Sequence, residues 1–268
     1  ADFWAGEDNL EIVEERHIRK AIEEKVYRSN KYEERLNEMF LDGTLLIDIE
    51  GYEVGQINGL AVMGTGEYAF GKPSRITASV YAGEEGVINI EREAKQSGRI
   101  HDKGVFILSG YLGQKYAKKD PLGLTIGIGF EQSYSFIDGD SASSTELYAI
   151  LSSIAEVPIK QFLAVTGSVN QKGQIQPIGG VNEKIEGFYQ VCKLMGLTGE
   201  QGVVIPKTNI KNLMLNDEVI QAVADNKFHI YAIDTIEDGI EILMGITEKE
   251  LDKIINKKLQ NMTKAELK

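Results

Sequence analysis

The stretch IDGDSASSTELYAILSSIAEV, residues 137–157, decides how the chain is read. Four hydroxyls, on Ser141, Ser143, Ser144 and Thr145, crowd its start, and the sequence then turns apolar. Leu147, Ile150, Leu151 and Ile154 recur at the i, i+3, i+4, i+7 spacing of a helix with a buried face. That helix opens between Asp140 and Ser144, where its first N–H groups have no partners inside the helix. Ser143 and Glu146 have the spacing of a capping box. Capping occupies one or two of the hydroxyls and leaves Ser141 without a task. A serine at this place also stands where free N–H groups and the positive end of the helix dipole converge, which favours a developing oxyanion. Ser141 is therefore either one more polar residue at a helix start or a nucleophile.

Downstream of this stretch, helices and strands alternate. FLAVTGSV (residues 162–169), GVVIP (202–206) and FHIYAI (228–233) read as strands, and VNEKIEGFYQVCKLM (181–195) as a helix stopped by Gly196. Upstream, TLLIDI, RITASVY, GVINIE and GVFILSGYL, within residues 44–130, are short β-rich runs between glycine-containing turns, expected to form a sheet with few helices. Residues 8–40 read as helix, with Ile18, Ala21, Ile22, Val26 and Tyr27 near one face and charges opposite. The tail, residues 247–268, is charged and helical in pattern, as a solvated helix would be. The expected fold class is α/β (α+β): a β-rich first part, alternating elements after Ser141, and a short helical segment in front.

Composition narrows the partners. The 268 residues carry a formal charge of −12, which repels phosphate backbones and anionic surfaces, so neither nucleic acid nor membrane is expected as a partner. The single cysteine, Cys192, cannot form an internal disulfide and sits among apolar residues as a small core side chain. No apolar run has the length of a membrane span and no signal peptide opens the chain, so a cytoplasmic location is expected. The chain starts without Met, as a fragment would.

Two motifs are set aside. GEYAFGKPS, residues 66–74, nearly forms a phosphate-binding loop, but Pro73 stands where the loop needs a magnesium-binding hydroxyl and a backbone N–H. His101 and Asp102 are adjacent in sequence, which is no sign of a Ser-His-Asp geometry. His229 alternates with apolar neighbours in a strand, a structural position, and no His, Cys or carboxylate spacing resembles a zinc site.

A serine nucleophile needs a base. VTGSVNQKGQIQPIGGVNEKIEGF, residues 165–188, runs from a strand through a turn and Gly179-Gly180 into a helix. Lys184 lies in the first turns of that helix, beside Ile178, Val181 and Ile185. Pointing inward, its amine would lose charge by desolvation and could take a proton from serine; pointing outward, it would pair with Glu183 or Glu186.

Taken together, DGDSAS followed by a helix, AVTGSV, and GQIQPIGGVNEK resemble the proteolytic domain of Lon proteases, which use a serine–lysine dyad. The resemblance is strong over residues 133–208 and looser over 43–245, and the 43-residue separation of Ser141 and Lys184 suits it. It implies Ser141 as nucleophile, Lys184 as general base, and Thr166 as the residue holding the amine. Asp138 and Gly139 match the residues preceding the nucleophile, and Glu131 is expected as a wall of the site. The chain departs from many family members with Asp140 in place of proline and Ser143 in place of glycine; Asp140 adds a carboxylate beside the nucleophile, and acts either through its N–H or through its charge. HIRKAIEEKVYRSNKYEERL resembles the last helical piece of an AAA+ ATPase module. The resemblance thus implies a helical segment over 1–42, a proteolytic domain over 43–246 and a tail over 247–268. It further implies an endopeptidase of unfolded or damaged polypeptides, a hexameric homo-oligomeric ring, and no cofactor in this portion, with ATP and magnesium serving the full-length protein. Two rivals remain: a non-catalytic Lon-like ring-forming scaffold, against which both dyad residues speak, and an unrelated small-ester hydrolase, disfavoured because Ser141 lacks the G-x-S-x-G setting.

Overall fold

A computed structural model of the chain describes residues 1–64, 66, 68–118 and 121–266, with side chains to residue 261. Glu67 of the 66–74 stretch and the last two residues of the tail lie outside the described residues. The chain opens with three helices, α1 (Asp2–Glu7), α2 (Glu15–Ser29) and α3 (Lys31–Leu41), rather than one. The break before α2 is fixed by a reciprocal cap in which His17 Nδ1 accepts from the Glu14 N–H. Asn30 ends α2 and begins α3. The apolar face expected on α2 is largely uncovered: Ile18, Ile22 and Tyr27 are exposed.

Ten further elements follow, among them the helix that opens just after Ser141. They are β1 (Tyr52–Glu53), β2 (Gln56–Gly64), β3 (Ala69–Ala82), β4 (Gly86–Asn89), α4 (Ile90–Glu93), α5 (Arg99–Tyr116), β5 (Leu124–Phe130), α6 (Ser143–Ala155), β6 (Ile159–Lys160) and β7 (Leu163–Val165). After them come β8 (Ser168–Val169), β9 (Ile175–Gln176), α7 (Val181–Met195), β10 (Gly202–Pro206), a 3-10 turn (Lys207–Asn212), α8 (Asp217–Ala224), β11 (His229–Ile233), α9 (Ile236–Met244) and α10 (Glu248–Glu266). One mixed sheet of seven strands, in the order β11-β10-β7-β2-β3-β5-β4, carries them. β11, β10, β7 and β2 run parallel, while β2-β3 and β3-β5 are antiparallel. α6 lies over one face with α5, α9 and α10, and α7 lies over the other with α8 and α3, so two apolar clusters form, one on each side. This is the mixed α/β class expected.

Three expectations need correction. GVFILSGYL is not a strand but the body of α5: His101, Gly104, Val105, Leu108, Tyr111 and Leu112 are its buried positions, spaced at a helical period. TLLIDI joins no ladder; Ile47 and Ile49 are buried in the α7-side cluster, while Asp48 C=O accepts from the Asn58 amide. FLAVTGSV breaks at Thr166-Gly167 into β7 and β8. The tail is also more than a solvated helix, because Leu251, Ile255 and Leu259 are buried in the α6-side cluster. Among the described residues no helix is long and apolar enough to cross a membrane.

Ile255→Ala removes a fully buried side chain from α10. We expect it to lower stability by about 2–4 kcal/mol, read as an earlier urea midpoint at unchanged slope. A change below about 0.5 kcal/mol would return the tail to the status of a solvated helix.

Candidate active site

α6 begins at Ser143 with no side-chain cap, so the expected capping box does not form. The hydroxyls have another use: they fasten the helix opening to the broken strand beside it. The Ser144 hydroxyl and its N–H both donate to Gly167 C=O, at 2.8 and 3.1 Å. The Thr145 hydroxyl donates to Val165 C=O at 3.1 Å, and Ser143 Oγ accepts from the Val169 N–H at 3.0 Å. Gly167 N–H donates to Ser141 C=O at 2.8 Å. This stitching explains why the strand must break at Thr166-Gly167, since the backbone there turns away from the ladder to bond the other chain segment. It also leaves the N–H groups of Asp140, Ser141 and Ala142 without an acceptor among the described residues.

The second segment arrives from the opposite sheet face. α7 is nucleated after Gly180 and seals its inner side with Val181, Ile185 and Phe188. It can approach β3 closely because glycines meet there. A Cβ on Gly71 would lie 2.0 Å from Glu183 C=O, and one on Gly187 would lie 2.1 Å from Gly71 C=O. Lys184, one turn into the helix, is 3% exposed. Its Nζ lies 2.9 Å from Ser141 Oγ and 3.1 Å from Thr166 Oγ1.

The protonation logic follows from the partners. The Thr166 hydroxyl donates to Ser141 C=O at 3.2 Å, so its oxygen is left to accept from the Lys184 amine. With one of its hydrogens given to Thr166, an amine that has lost its proton would have its lone pair free for the Ser141 hydroxyl. Among the described residues no carboxylate is within ion-pair distance of Nζ, in contrast to Lys115, Lys193 and Lys207. Burial therefore pushes the Lys184 amine from its usual 10.5 down to about 8, against the upward pull of the Asp140 and Glu183 charges. The outward reading of Lys184 is excluded by its burial.

The remaining expected residues divide. Asp138 closes the start of α5: its Oδ1 accepts from Gly139, Ile100 and His101 N–H at 2.8, 3.1 and 3.2 Å, and those bonds hold its carboxyl below the usual range. Gly139 takes the left-handed conformation, φ +93°, that swings the chain into Asp140. Asp140 Oδ2 accepts from the Ser168 hydroxyl at 2.8 Å, so its carboxylate is tied to β8 while its N–H stays free. Glu131 is not a wall of the site. It pairs with Arg75, whose Nε lies 2.7 Å away and whose other arm reaches Asp48 at 3.4 Å.

Ser141 opens onto a groove of about 300 Å³ lined by Leu60, Val62, Lys72, Ser74, Phe130 and Phe136, among others. One side of it is β2. Pairing of β2 with β7 ends at Gly59, so from Leu60 to Gly64 that edge has no strand partner among the described residues. Sequence reasoning missed these lining residues. Lys72 belongs to the 66–74 stretch set aside as a phosphate-loop decoy, whose residues from Ala69 onward lie in β3 rather than in a loop opening a helix.

His101 and Asp102 do not serve Ser141. His101 is buried against Phe130, with Nε2 3.6 Å from Glu146 Oε1, and Asp102 accepts from Ser97. Burial pushes the Glu146 carboxyl far up, with the Glu91 charge adding to it, and pushes the His101 imidazole down. His229 Nε2 contacts Gly199 C=O at 2.8 Å, a structural role, and Cys192 is buried. Among the described residues no group of His, Cys, Asp and Glu is arranged to hold a metal ion.

Residues 126–245 match the family described as Lon protease (S16) C-terminal proteolytic domain, and residues 1–28 match the archaeal LonB AAA+ ATPase LID domain. A putative Lon protease homolog of Escherichia coli is 41% identical over 227 residues, 84% of this chain and 39% of that protein. One from Haemophilus influenzae is 38% identical over 257 residues, covering 90% and 41%. An archaeal Lon protease of Archaeoglobus fulgidus is 32% identical over 243 residues, covering 89% and 35%. The chain thus spans about two fifths of the length of these relatives.

Folding lowers the Lys184 pKa, so between about 8 and 10.5 the folded chain binds fewer protons than the unfolded one. Stability should therefore rise with pH across that window in the wild type relative to Lys184→Met, and the difference should be flat below it. Urea unfolding at a series of pH values checks this; a difference flat throughout would mean an amine in contact with water.

Proposed function

The chain belongs to the Lon protease family and carries its serine-peptidase domain, and from that premise we propose that it cleaves peptide bonds of unfolded or damaged polypeptides with Ser141 as nucleophile and Lys184 as general base. The observation that carries this is the 2.9 Å approach of a buried amine, lacking a counter-charge, to Ser141 Oγ. A buried cation without a partner is costly, and the cost disappears when the amine is neutral and able to accept a proton.

In this mechanism Ser141 Oγ attacks the substrate carbonyl while its proton passes to Lys184 Nζ. The tetrahedral oxyanion is met by the free N–H groups of Asp140, Ser141 and Ala142. The resulting ammonium protonates the leaving amine, and the acyl-serine ester forms. Water then attacks the ester with Lys184 again taking the proton. Thr166 keeps the lone pair aimed throughout. The unpartnered edge of β2 fits an extended peptide lying past Ser141 and adding a strand to the sheet.

We assign residues 1–42 to the end of an ATPase module, 43–246 to the proteolytic unit and 247–268 to a tail that closes its core. The uncovered face of α2, with Ile18, Ile22 and Tyr27, fits contact with the rest of such a module. A hexameric ring in the cytoplasm, with ATP and magnesium bound by the motor, completes the proposal for the full-length protein. The 66–74 stretch does not fit ATP, because Pro73 lies inside β3 where a phosphate loop would need a hydroxyl and a helix start. A scaffold without chemistry would leave the neutral, aimed lysine with no purpose.

With an unfolded casein-like protein and with short peptides, Ser141→Ala and Lys184→Ala should abolish hydrolysis, and Thr166→Val should slow it by about 10- to 100-fold at unchanged fold. In the wild type, kcat/KM should climb as pH rises toward about 8 and then level, because deprotonation of Lys184 creates the base. Equal turnover in wild type and both dyad variants would eliminate the dyad.

A further inference from the structure

Lys72 has no stated use in the mechanism, yet it shares the groove with Ser141. β3 presents neighbouring side chains to opposite faces. Gly71 faces α7, so Lys72 and Ser74 face the other way, into the groove. The antiparallel register sets Lys72 opposite Ala61, on the stretch of β2 that carries the unpartnered edge. Among the described residues Lys72 Nζ has neither an ion pair nor a hydrogen bond, although the chain as a whole is acidic, with a net charge of −12. Asp138 lines the same groove, but its carboxylate is taken by three backbone N–H groups at the start of α5. The other walls named above, Leu60, Val62, Phe130 and Phe136, are apolar.

We propose that Lys72 is a specificity residue of the groove, receiving a carboxylate of the polypeptide substrate near the scissile bond. The proposal rests on the groove being the substrate site. A half-buried cation among apolar walls discriminates strongly by charge: an acidic group completes it, and a basic one is repelled with little water to screen the repulsion. Burial alone holds the Lys72 amine below its usual range, with no carboxylate drawing it back up, as befits a cation whose partner comes from outside the chain. The carboxylate can come from a glutamate or aspartate side chain within the substrate or from the substrate's own C-terminus; the chemistry is shared.

The test uses the full-length protein and a peptide series in which Glu, Ala or Lys is moved through the positions flanking one cleavable bond, each made as C-terminal acid and amide. We expect one position at which Glu exceeds Lys in kcat/KM by about 10-fold or more at low salt, narrowing as salt rises. Lys72→Arg should keep the preference, Lys72→Met should flatten it and Lys72→Glu should reverse it, all with unchanged thermal midpoints and with Ala peptides still cleaved. A preference confined to acids over amides, and lost in Lys72→Met, supports Lys72 as the receptor and assigns the carboxylate to the chain end. An identical preference in wild type and Lys72→Met overturns the proposal. Binding of the same fluorescent peptides to a Ser141→Ala protein, read by anisotropy, gives the ranking without hydrolysis. If that ranking follows Lys72 while no peptide is cleaved, the dyad reading fails and the role of Lys72 stands; a ranking indifferent to Lys72 overturns that role.

Discussion

An amine sealed from water next to an alcohol, with no carboxylate to pair it, is the constraint around which the molecule is organised. In water a lysine is charged at neutral pH and useless as a base. Here desolvation lowers the Lys184 amine to about 8, and it does so only while the pocket stays dry. Every element around the site serves that dryness. α7 brings Lys184 in from one face, the broken strand between β7 and β8 closes above it, and the opening of α6 seals the far side. The Thr166 hydroxyl then decides which way the nitrogen points, because its one proton is already given to Ser141 C=O.

The hydroxyl cluster is the fastening for this arrangement. A serine-rich helix start usually satisfies its own N–H groups. Here Ser143, Ser144 and Thr145 bond instead to the backbone of residues 165–169. Three consecutive side chains thus trade local capping for contacts across some twenty residues of sequence, and two kinds of benefit follow. The loop carrying Ser141 is held against Thr166 and Lys184, and the N–H groups of residues 140–142 stay without an acceptor among the described residues. Asp140 opposes part of this, since its charge favours the protonated lysine; its bond to Ser168 holds the carboxylate toward β8.

What could be read from the residues, and what could not, has a physical pattern. Ser141, Thr166 and Lys184 sit at element boundaries with distinctive local sequence, a hydroxyl run and a double glycine, and the structure brings these three together. α6, α7, β10 and β11 are legible because each has one clear period and clear ends. GVFILSGYL is not, because a short apolar run fits a buried strand and a buried helix equally well, and of the buried positions of α5 only His101 lies outside it to extend the helical period. Glu131 cannot be placed from sequence, because its position depends on Arg75, two strands away in the chain. The buried Glu146 is misread as a cap for the same kind of reason: nothing local announces that His101 will cover it. Lys72 hides inside a false motif, and its place in the groove depends on strand register, which no local pattern fixes.

β3 joins these threads. Gly71 and Lys72 are neighbours in the chain and face opposite sides of the sheet. The bare backbone of Gly71 lets α7 settle close enough for Lys184 to reach Ser141, and a methyl group there would collide with Glu183 C=O rather than with a side chain able to swing aside. The next residue places a cation in the groove that the same Ser141 opens onto. Because a strand held on both edges by β2 and β5 moves as a unit, the depth of Lys184 and the charge of the groove are set by one rigid ruler. A shift of β3 that loosened α7 would wet the lysine and misplace Lys72 together, so reactivity and selectivity in this fold are coupled through the pleat of a single strand.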